Sequence, residues 1–91
     1  MSDVFSWRPR LDKGARLRSD SLSDDEMLLF PEAALILNHT AAMVVRMCDG
    51  RNTVAEIVDK ACQLHPGDPR AEITADLSIF LNNLRRRGLV R

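Results

Sequence analysis

The sequence has 91 residues, of which 45% are hydrophobic and 29% charged, so it is long enough for one globular domain and too short for two. Thirteen basic and thirteen acidic side chains cancel, which excludes a global field that would recruit nucleic acid or an anionic membrane. No apolar run is long enough to span a bilayer, and the first residues lack the apolar core of a signal peptide.

The two cysteines, Cys48 and Cys62, both fall inside apolar helical patterns. Without a signal peptide, this predicts a cytoplasmic protein with buried free thiols. The sequence has no C-x-x-C or H-E-x-x-H spacing, no glycine-rich phosphate loop and no paired carboxylates that stand out. We therefore expect neither catalysis nor a bound metal or cofactor.

Residues 1–14 contain Trp7, Pro9 and Gly14 among mixed charges and show no helical or strand periodicity. They are predicted to form an N-terminal arm, with Trp7 packed on a single domain that covers residues 15–91.

Three short apolar runs, residues 15–18, 27–30 and 34–37, are predicted strands. A polar connector over residues 19–25 joins the first two, and a turn at Pro31-Glu32 joins the last two. Periodicity alone does not separate such short runs from helix. In a three-strand meander the third strand would lie at the sheet edge, where unpaired N–H and C=O groups invite another strand.

The second half of the sequence predicts three helices, because start and stop signals agree with the apolar pattern. Asn38 or Thr40 can cap the first helix, which is apolar on nearly all sides and is expected to end with Gly50 as its C-terminal cap. Thr53 and Glu56 have the spacing of a capping box at the start of the second helix. The expected buried stripe of that helix consists of Ile57, Val58, Ala61 and Leu64.

The third helix is expected to have Asp68 as its cap and Pro69 as its first residue. Gly88 ends it and leaves Leu89 and Val90 to pack back. Its apolar residues recur at helical spacing: Ile73, Leu77, Phe80, Leu81 and Leu84. Three strands followed by three helices predict an α+β domain, with the helices on one face of a three-stranded antiparallel sheet, compatible with a winged helix-turn-helix.

Short motifs along most of the chain occur in a fairly specific order and spacing: Pro9-Arg10-Leu11, Gly14-Ala15-Arg16-Leu17, Leu28-Leu29-Phe30-Pro31-Glu32, Leu37-Asn38 with Thr40-Ala41, Asp49-Gly50, Thr53-Val54 with Ile57, Asp76 with Phe80-Leu81, and Gly88-Leu89. In this arrangement the chain resembles the PqqD family of pyrroloquinoline quinone (PQQ) biosynthesis, and more widely the precursor-recognition domains of peptide-modifying enzymes. The resemblance implies a non-catalytic peptide chaperone that binds a ribosomally made precursor peptide, PqqA, and presents it to a radical-SAM enzyme, PqqE.

The resemblance also implies where the peptide binds: beside the third strand, in a groove walled by the third helix. On this sequence the strand side of that site consists of Ala34, Leu35, Ile36, Leu37 and Asn38, and the helix side lies within residues 76–87. Ile79 and Phe80 point along adjacent helix faces, so one of them is a candidate groove residue, although Phe80 also fits the core. Candidates to read polar or acidic peptide side chains share the neighbouring flank: Asp76, Asn83 and Arg87.

Other interpretations remain open at this point. The same skeleton serves as a recognition domain for other modified peptides, and the third strand could instead be buried on both faces or pair with a second copy to form a homodimer. A winged-helix nucleic-acid-binding protein is the rival in another class. Its recognition helix should begin with base-reading side chains, whereas here the third helix begins with Arg70, Glu72, Thr74 and Asp76.

Overall fold

The structure is a computed structural model that describes residues 4–19, 25–31 and 33–91. Its elements are a short 3-10 helix (Val4–Ser6), strands β1 (Arg16–Ser19), β2 (Glu26–Phe30) and β3 (Ala33–Leu37), and helices α1 (His39–Met47), α2 (Val54–Leu64) and α3 (Arg70–Arg86). This order confirms the predicted α+β class, and each strand lies within one residue of its predicted bounds. Residues 1–3 of the predicted arm, residues 20–24 of the predicted connector and Glu32 of the predicted turn lie outside the described residues.

The three strands form one antiparallel sheet in the order β1-β2-β3. Leu28, at the centre of β2, is opposite Leu17 on one side and Leu35 on the other. Leu28 is fully buried, and both partners pack against the core. Among the described elements, α1 is the helix that contacts all three strands, so it covers this inner face of the sheet.

Helix α1 is the central core element that the sequence predicts. Asn38 caps it, because the Asn38 Oδ1 atom accepts a hydrogen bond from the Ala41 N–H at 2.8 Å. Ala42, Val44 and Val45 are buried along the helix. On the exposed side, Arg46 Nη1 donates to Glu26 Oε1 at 2.6 Å and ties the helix to β2.

The end of α1 differs from the prediction that Gly50 caps it. The helix ends at Met47 and its C-terminal cap is Cys48, whose N–H donates to the Val45 carbonyl. Gly50 has the predicted positive φ of +79°, but it lies two residues further on, where its N–H donates to the Pro9 carbonyl. Cys48 is a buried free thiol, and burial, reinforced by the Asp49 carboxylate, raises its pKa to about 12.

Helix α2 begins with the predicted capping box. The Glu56 N–H donates to Thr53 Oγ1 at 3.2 Å and the Thr53 N–H donates to Glu56 Oε1 at 2.9 Å. Ile57, Val58 and Ala61 are buried as expected. Leu64 was wrongly included in that stripe: it is 51% exposed, because it is the last residue of the helix, at the point where the chain turns away into the loop before α3.

The start of α3 corrects a second prediction. Pro69, not Asp68, is the N-terminal cap, and no side-chain hydrogen bond caps the helix. The Pro69 carbonyl accepts from the N–H groups of Glu72 and Ile73. The Asp68 N–H donates to the His65 carbonyl, which is a hydrogen bond of the turn before the helix. Asp68 therefore belongs to the preceding turn.

The end of α3 agrees with the sequence. Gly88 has a φ of +75°, its N–H donates to the Arg85 carbonyl, and the Leu89 N–H donates to the Leu84 carbonyl at 2.9 Å. This pair of hydrogen bonds is a Schellman motif. It directs Leu89 and Val90 into the core, where both are buried.

The segment that precedes β1 is hydrogen-bonded to two other parts of the chain. The Trp7 carbonyl accepts from the Val54 N–H and the Pro9 carbonyl accepts from the Gly50 N–H. Both hydrogen bonds join this segment to the chain between α1 and α2. Arg10 and Arg91 exchange N–H to carbonyl hydrogen bonds of 2.9 and 2.8 Å. As the sequence predicts, Trp7 packs against the core.

Within the described residues, no helix combines the length and the apolar character that crossing a membrane requires.

The turn after α1 generates a pH prediction. Asp49 Oδ1 accepts from the N–H groups of Arg51 and Asn52 at 2.8 and 3.1 Å, and these hydrogen bonds lower the pKa of Asp49 below its usual 3.8. A lowered folded-state pKa means that the ionised carboxylate stabilises the fold above the unfolded value, and that this contribution is lost as the pH falls through the folded value. We expect Asp49→Asn to melt below wild type at pH 7 and the difference to shrink below pH 3.8. Circular dichroism melts across this range measure it, and a pH-independent difference would contradict the explanation.

Candidate functional site

Strand β3 is an edge strand, and its sequence leaves that edge open. It pairs with β2 on one side, and among the described strands none lies on its other side. All of its residues, Ala33-Ala34-Leu35-Ile36-Leu37, are apolar. The opposite edge strand, β1, contains Arg16 and Arg18, and charged side chains are a common protection of sheet edges. Of the two edges, β3 is the one without that protection.

The register shows which backbone groups of β3 are free. A two-residue connection joins the paired residues Phe30 and Ala33, so this pair is the hydrogen-bonded pair that closes the hairpin. Hydrogen-bonded and non-hydrogen-bonded pairs alternate along an antiparallel ladder, which makes Leu35 and Leu37 the next residues bonded to β2. The N–H and C=O groups of Ala34 and Ile36 therefore point to the open edge.

Helix α3 faces this edge across a groove. No described Cα atom of β3 lies within 8 Å of a Cα atom of α3, and the space between them is a groove of about 340 Å³. The β3 side and the residues that follow it contribute Leu35, Ile36, Leu37, Asn38 and Ala41. Helix α3 and its C-terminal cap contribute Phe80, Asn83, Leu84 and Arg87. Leu37 and Leu84 are buried, whereas Leu35 and Phe80 are half-buried and offer apolar surface to an occupant.

Most of the candidate residues lie around this one groove: Leu35, Ile36, Leu37, Asn38, Phe80, Asn83 and Arg87. Asp76 lines a neighbouring cavity, while Ala34 and Ile79 line neither. Ile79 is 61% exposed on the outside of α3, so packing brings Phe80, and not Ile79, to the groove. Peptide binding by these residues stays a prediction.

The neighbouring cavity, of about 350 Å³, extends the groove along the first half of α3. It shares Asn38, Ala41 and Phe80 with the groove and adds Thr40, His65, Asp68, Ile73, Asp76 and Leu77. Thr40 Oγ1 and His65 Nε2 are hydrogen-bonded at 2.6 Å, and Asp68 Oδ2 lies 4.0 Å from His65 Nδ1. The hydrogen bond between Thr40 and His65 links the start of α1 to the turn after α2.

Sequence reasoning missed Ala41, Leu84 and His65 as lining residues. Leu84 was assigned to the core, although it lies four residues after Phe80 and so on the same side of α3. For His65 the sequence contains no such signal, because its position depends on how the α2–α3 turn folds against the start of α1.

The charges along the two cavities differ from end to end. Arg87 is exposed at the rim of the groove, whereas Asp68 and Asp76 lie on the second cavity. An extended ligand of complementary charge would place an acidic side chain near Arg87 and a basic one near the aspartates. Each exposed pair contributes about 0.2–1 kcal/mol, so charge would select orientation more than affinity.

In the part of the chain that the structure describes, no cluster of three or more histidine, cysteine or carboxylate side chains is placed to hold a metal ion.

The fold and the groove define the class of protein: a small α+β domain with a three-stranded sheet, one open edge and a helix set apart from that edge. Comparison with known proteins gives the family. Residues 26–90 match the family model of PqqD, coenzyme PQQ synthesis protein D. The chain belongs to the PqqD family.

Individual relatives agree with this assignment. The chain is 35% identical to the PqqA binding protein of Rhodopseudomonas palustris strain HaA2, over 91% of this chain and 80% of that protein. It is 39% identical to part of the bifunctional coenzyme PQQ synthesis protein C/D of Methylorubrum extorquens, over 90% of this chain but only 22% of that longer protein.

A solved structure shows the same fold. The solution NMR structure of the PqqD truncation of Methylobacterium extorquens PqqCD has a TM-score of 0.74 and 36% identity, covering 91% of this chain and 87% of that one. That truncation is described as a functional, stand-alone recognition element for ribosomally synthesized and post-translationally modified peptides.

The orientation of α3 can be tested by stability. Leu84 is 1% exposed, so Leu84→Ala should lower the free energy of unfolding by about 2–5 kcal/mol, because it removes apolar burial and leaves a cavity. Ile79→Ala, on the same helix but exposed, should change it by less than about 0.5 kcal/mol. Urea unfolding of both variants measures the contrast. Equal losses would show that α3 is rotated from the orientation described.

Proposed function

We propose that this protein is a non-catalytic peptide chaperone that binds a ribosomally made precursor, PqqA or a PqqA-like peptide, and presents it to a radical-SAM enzyme in PQQ biosynthesis. The peptide adds as a fourth strand beside β3, in the groove below α3. The observation that carries the proposal is the open, apolar edge of β3 facing that groove. Family membership and relatives named PqqA binding proteins support the identity of the peptide.

The free backbone groups are sufficient for useful affinity. Ala34 and Ile36 each offer one N–H and one C=O, which allows four hydrogen bonds at about 0.5–1.5 kcal/mol each. One or two apolar peptide side chains buried against Leu35 and Phe80 add roughly 1.5–3 kcal/mol each. After the cost of ordering a disordered peptide, a low-micromolar dissociation constant, about −8 kcal/mol, is reachable.

Selectivity would come from the side chains around the ladder, because backbone hydrogen bonds form with any extended peptide. Half-buried Leu35 and Phe80 favour an apolar anchor, and Asn83 and Arg87 at the rim favour a polar or acidic neighbour. The second cavity lets a longer peptide continue past the end of β3.

Presentation to the enzyme requires that the peptide keep its reacting segment free. Strand addition meets this requirement, because it holds a short stretch of the peptide through its backbone and leaves the remainder outside the groove. We place this step in the cytoplasm, where precursor peptides are made and where the free thiols Cys48 and Cys62 are compatible with reducing conditions.

Replacing Ile36 with proline tests strand addition. Proline removes the Ile36 N–H, which faces the open edge and not β2, so the hairpin and the helices should remain folded. The lost hydrogen bond should weaken binding of a synthetic PqqA peptide about tenfold or more, measured by isothermal titration calorimetry. Unchanged affinity of a folded Ile36→Pro variant for the PqqA peptide would contradict the strand-addition proposal.

The matched control is Ile36→Ala, which retains the N–H and removes only side-chain atoms beyond Cβ. It should retain more affinity than Ile36→Pro. Wild-type protein that binds another precursor peptide, but not PqqA, would assign it to a different modification pathway. Sedimentation of the free protein shows whether a second copy occupies the same edge and competes with the peptide.

A further inference from the structure

The outer face of the sheet, turned away from α1, is a second surface without a described partner. The register puts its six side chains in two rows across the strands: Arg16, Leu29 and Ala34 in one row, and Arg18, Met27 and Ile36 in the other. We propose that this outer face docks a partner protein through a surface that combines carboxylates with apolar side chains.

No described element covers the outer face. Among the described helices, only α1 has Cα atoms within 8 Å of the strands, and it lies on the inner face with Leu28 and Leu37. The apolar side chains of the outer rows are not part of the core: Met27 and Leu29 are half-buried without packing against it, and Ile36 is 69% exposed. Met27, Leu29 and Ile36, together with the small Ala34, therefore form a partly accessible apolar strip beside the two arginines.

The arginines decide the chemistry of the occupant. Arg16 and Arg18 are exposed, and neither forms an ion pair within the described residues. They stand at the β1 side of both rows, about 10 Å from β3, since neighbouring strands are roughly 4.8 Å apart. Acidic side chains over β1 and apolar side chains over β2 and β3 would complement this surface. The adjoining apolar strip and the zero net charge disfavour nucleic acid.

The outer face is continuous with the peptide site, and this part of the inference rests on the proposed function. A peptide strand beside β3 would add a fourth position to each row, next to Ala34 and Ile36. A docked partner would then contact the domain and the bound peptide together. The modifying enzyme should therefore bind the peptide-loaded domain more tightly than the free domain, and the peptide should bind the enzyme-bound domain more tightly by the same factor.

Charge reversal tests the docking surface. The dissociation constant of the PqqE-type radical-SAM enzyme is measured for wild type, Arg18→Glu and Lys60→Glu, each with and without saturating PqqA peptide. Lys60 is the matched control, since it is exposed on α2 and forms no described ion pair. We expect at least a tenfold loss for Arg18→Glu, little change for Lys60→Glu, and peptide affinity close to wild type in both.

The outcomes separate this inference from the proposed function. Failure of wild type to bind PqqA would overturn the proposed function, while the enzyme titrations of unloaded protein would still decide docking. Equal enzyme affinity for Arg18→Glu and Lys60→Glu, or no enzyme binding by wild type, would overturn the docking surface. Dimerisation or duplex-DNA binding that Arg18→Glu abolishes would also overturn it, because the face would then serve a second copy or nucleic acid.

Discussion

The function proposed for this protein depends on the gap between α3 and the edge of β3. A helix packed directly on that edge would bury β3 and fill the groove. The gap instead leaves the N–H and C=O groups of Ala34 and Ile36 accessible beside the apolar surface of Leu35 and Phe80. Edge strands normally invite uncontrolled pairing. In the proposed complex, α3 would limit strand pairing at this edge to an occupant that fits the groove.

Interactions away from β3 hold α3 in this position. Among the described elements α3 packs against α2, and the Schellman turn after α3 sends Leu89 and Val90 into the core. The C-terminal residues pair with the segment before β1 through Arg10 and Arg91. In the last turn of α3, the Arg85 guanidinium carbon lies 5.3 Å from the centroid of the Trp7 ring, a cation–π contact. The chain before β1 and the chain after α3 thus help to keep the groove open.

The sequence predicts what local chemistry decides and misses what packing decides. The capping box of α2, the glycine that ends α3 and the three strands were predictable, because each depends on residues close together in the chain. The start of α3 was predicted one residue too early, because Asp68 and Pro69 both suit a helix start and only the hydrogen bonds from Glu72 and Ile73 to the Pro69 carbonyl identify the cap. Helical spacing also left Ile79 and Phe80 undecided, and nothing local places His65 beside Thr40. The family resemblance located the groove, but its lining required the structure.

The most direct test of the account is an NMR titration of the isotope-labelled protein with a synthetic PqqA peptide. The two sheet edges serve as each other's control in one experiment. We expect amide shifts along β3 and along residues 76–87, from the middle of α3 to its C-terminal cap, with little change in β1. Shifts confined to β1, or no shifts at saturating peptide concentration, would contradict it.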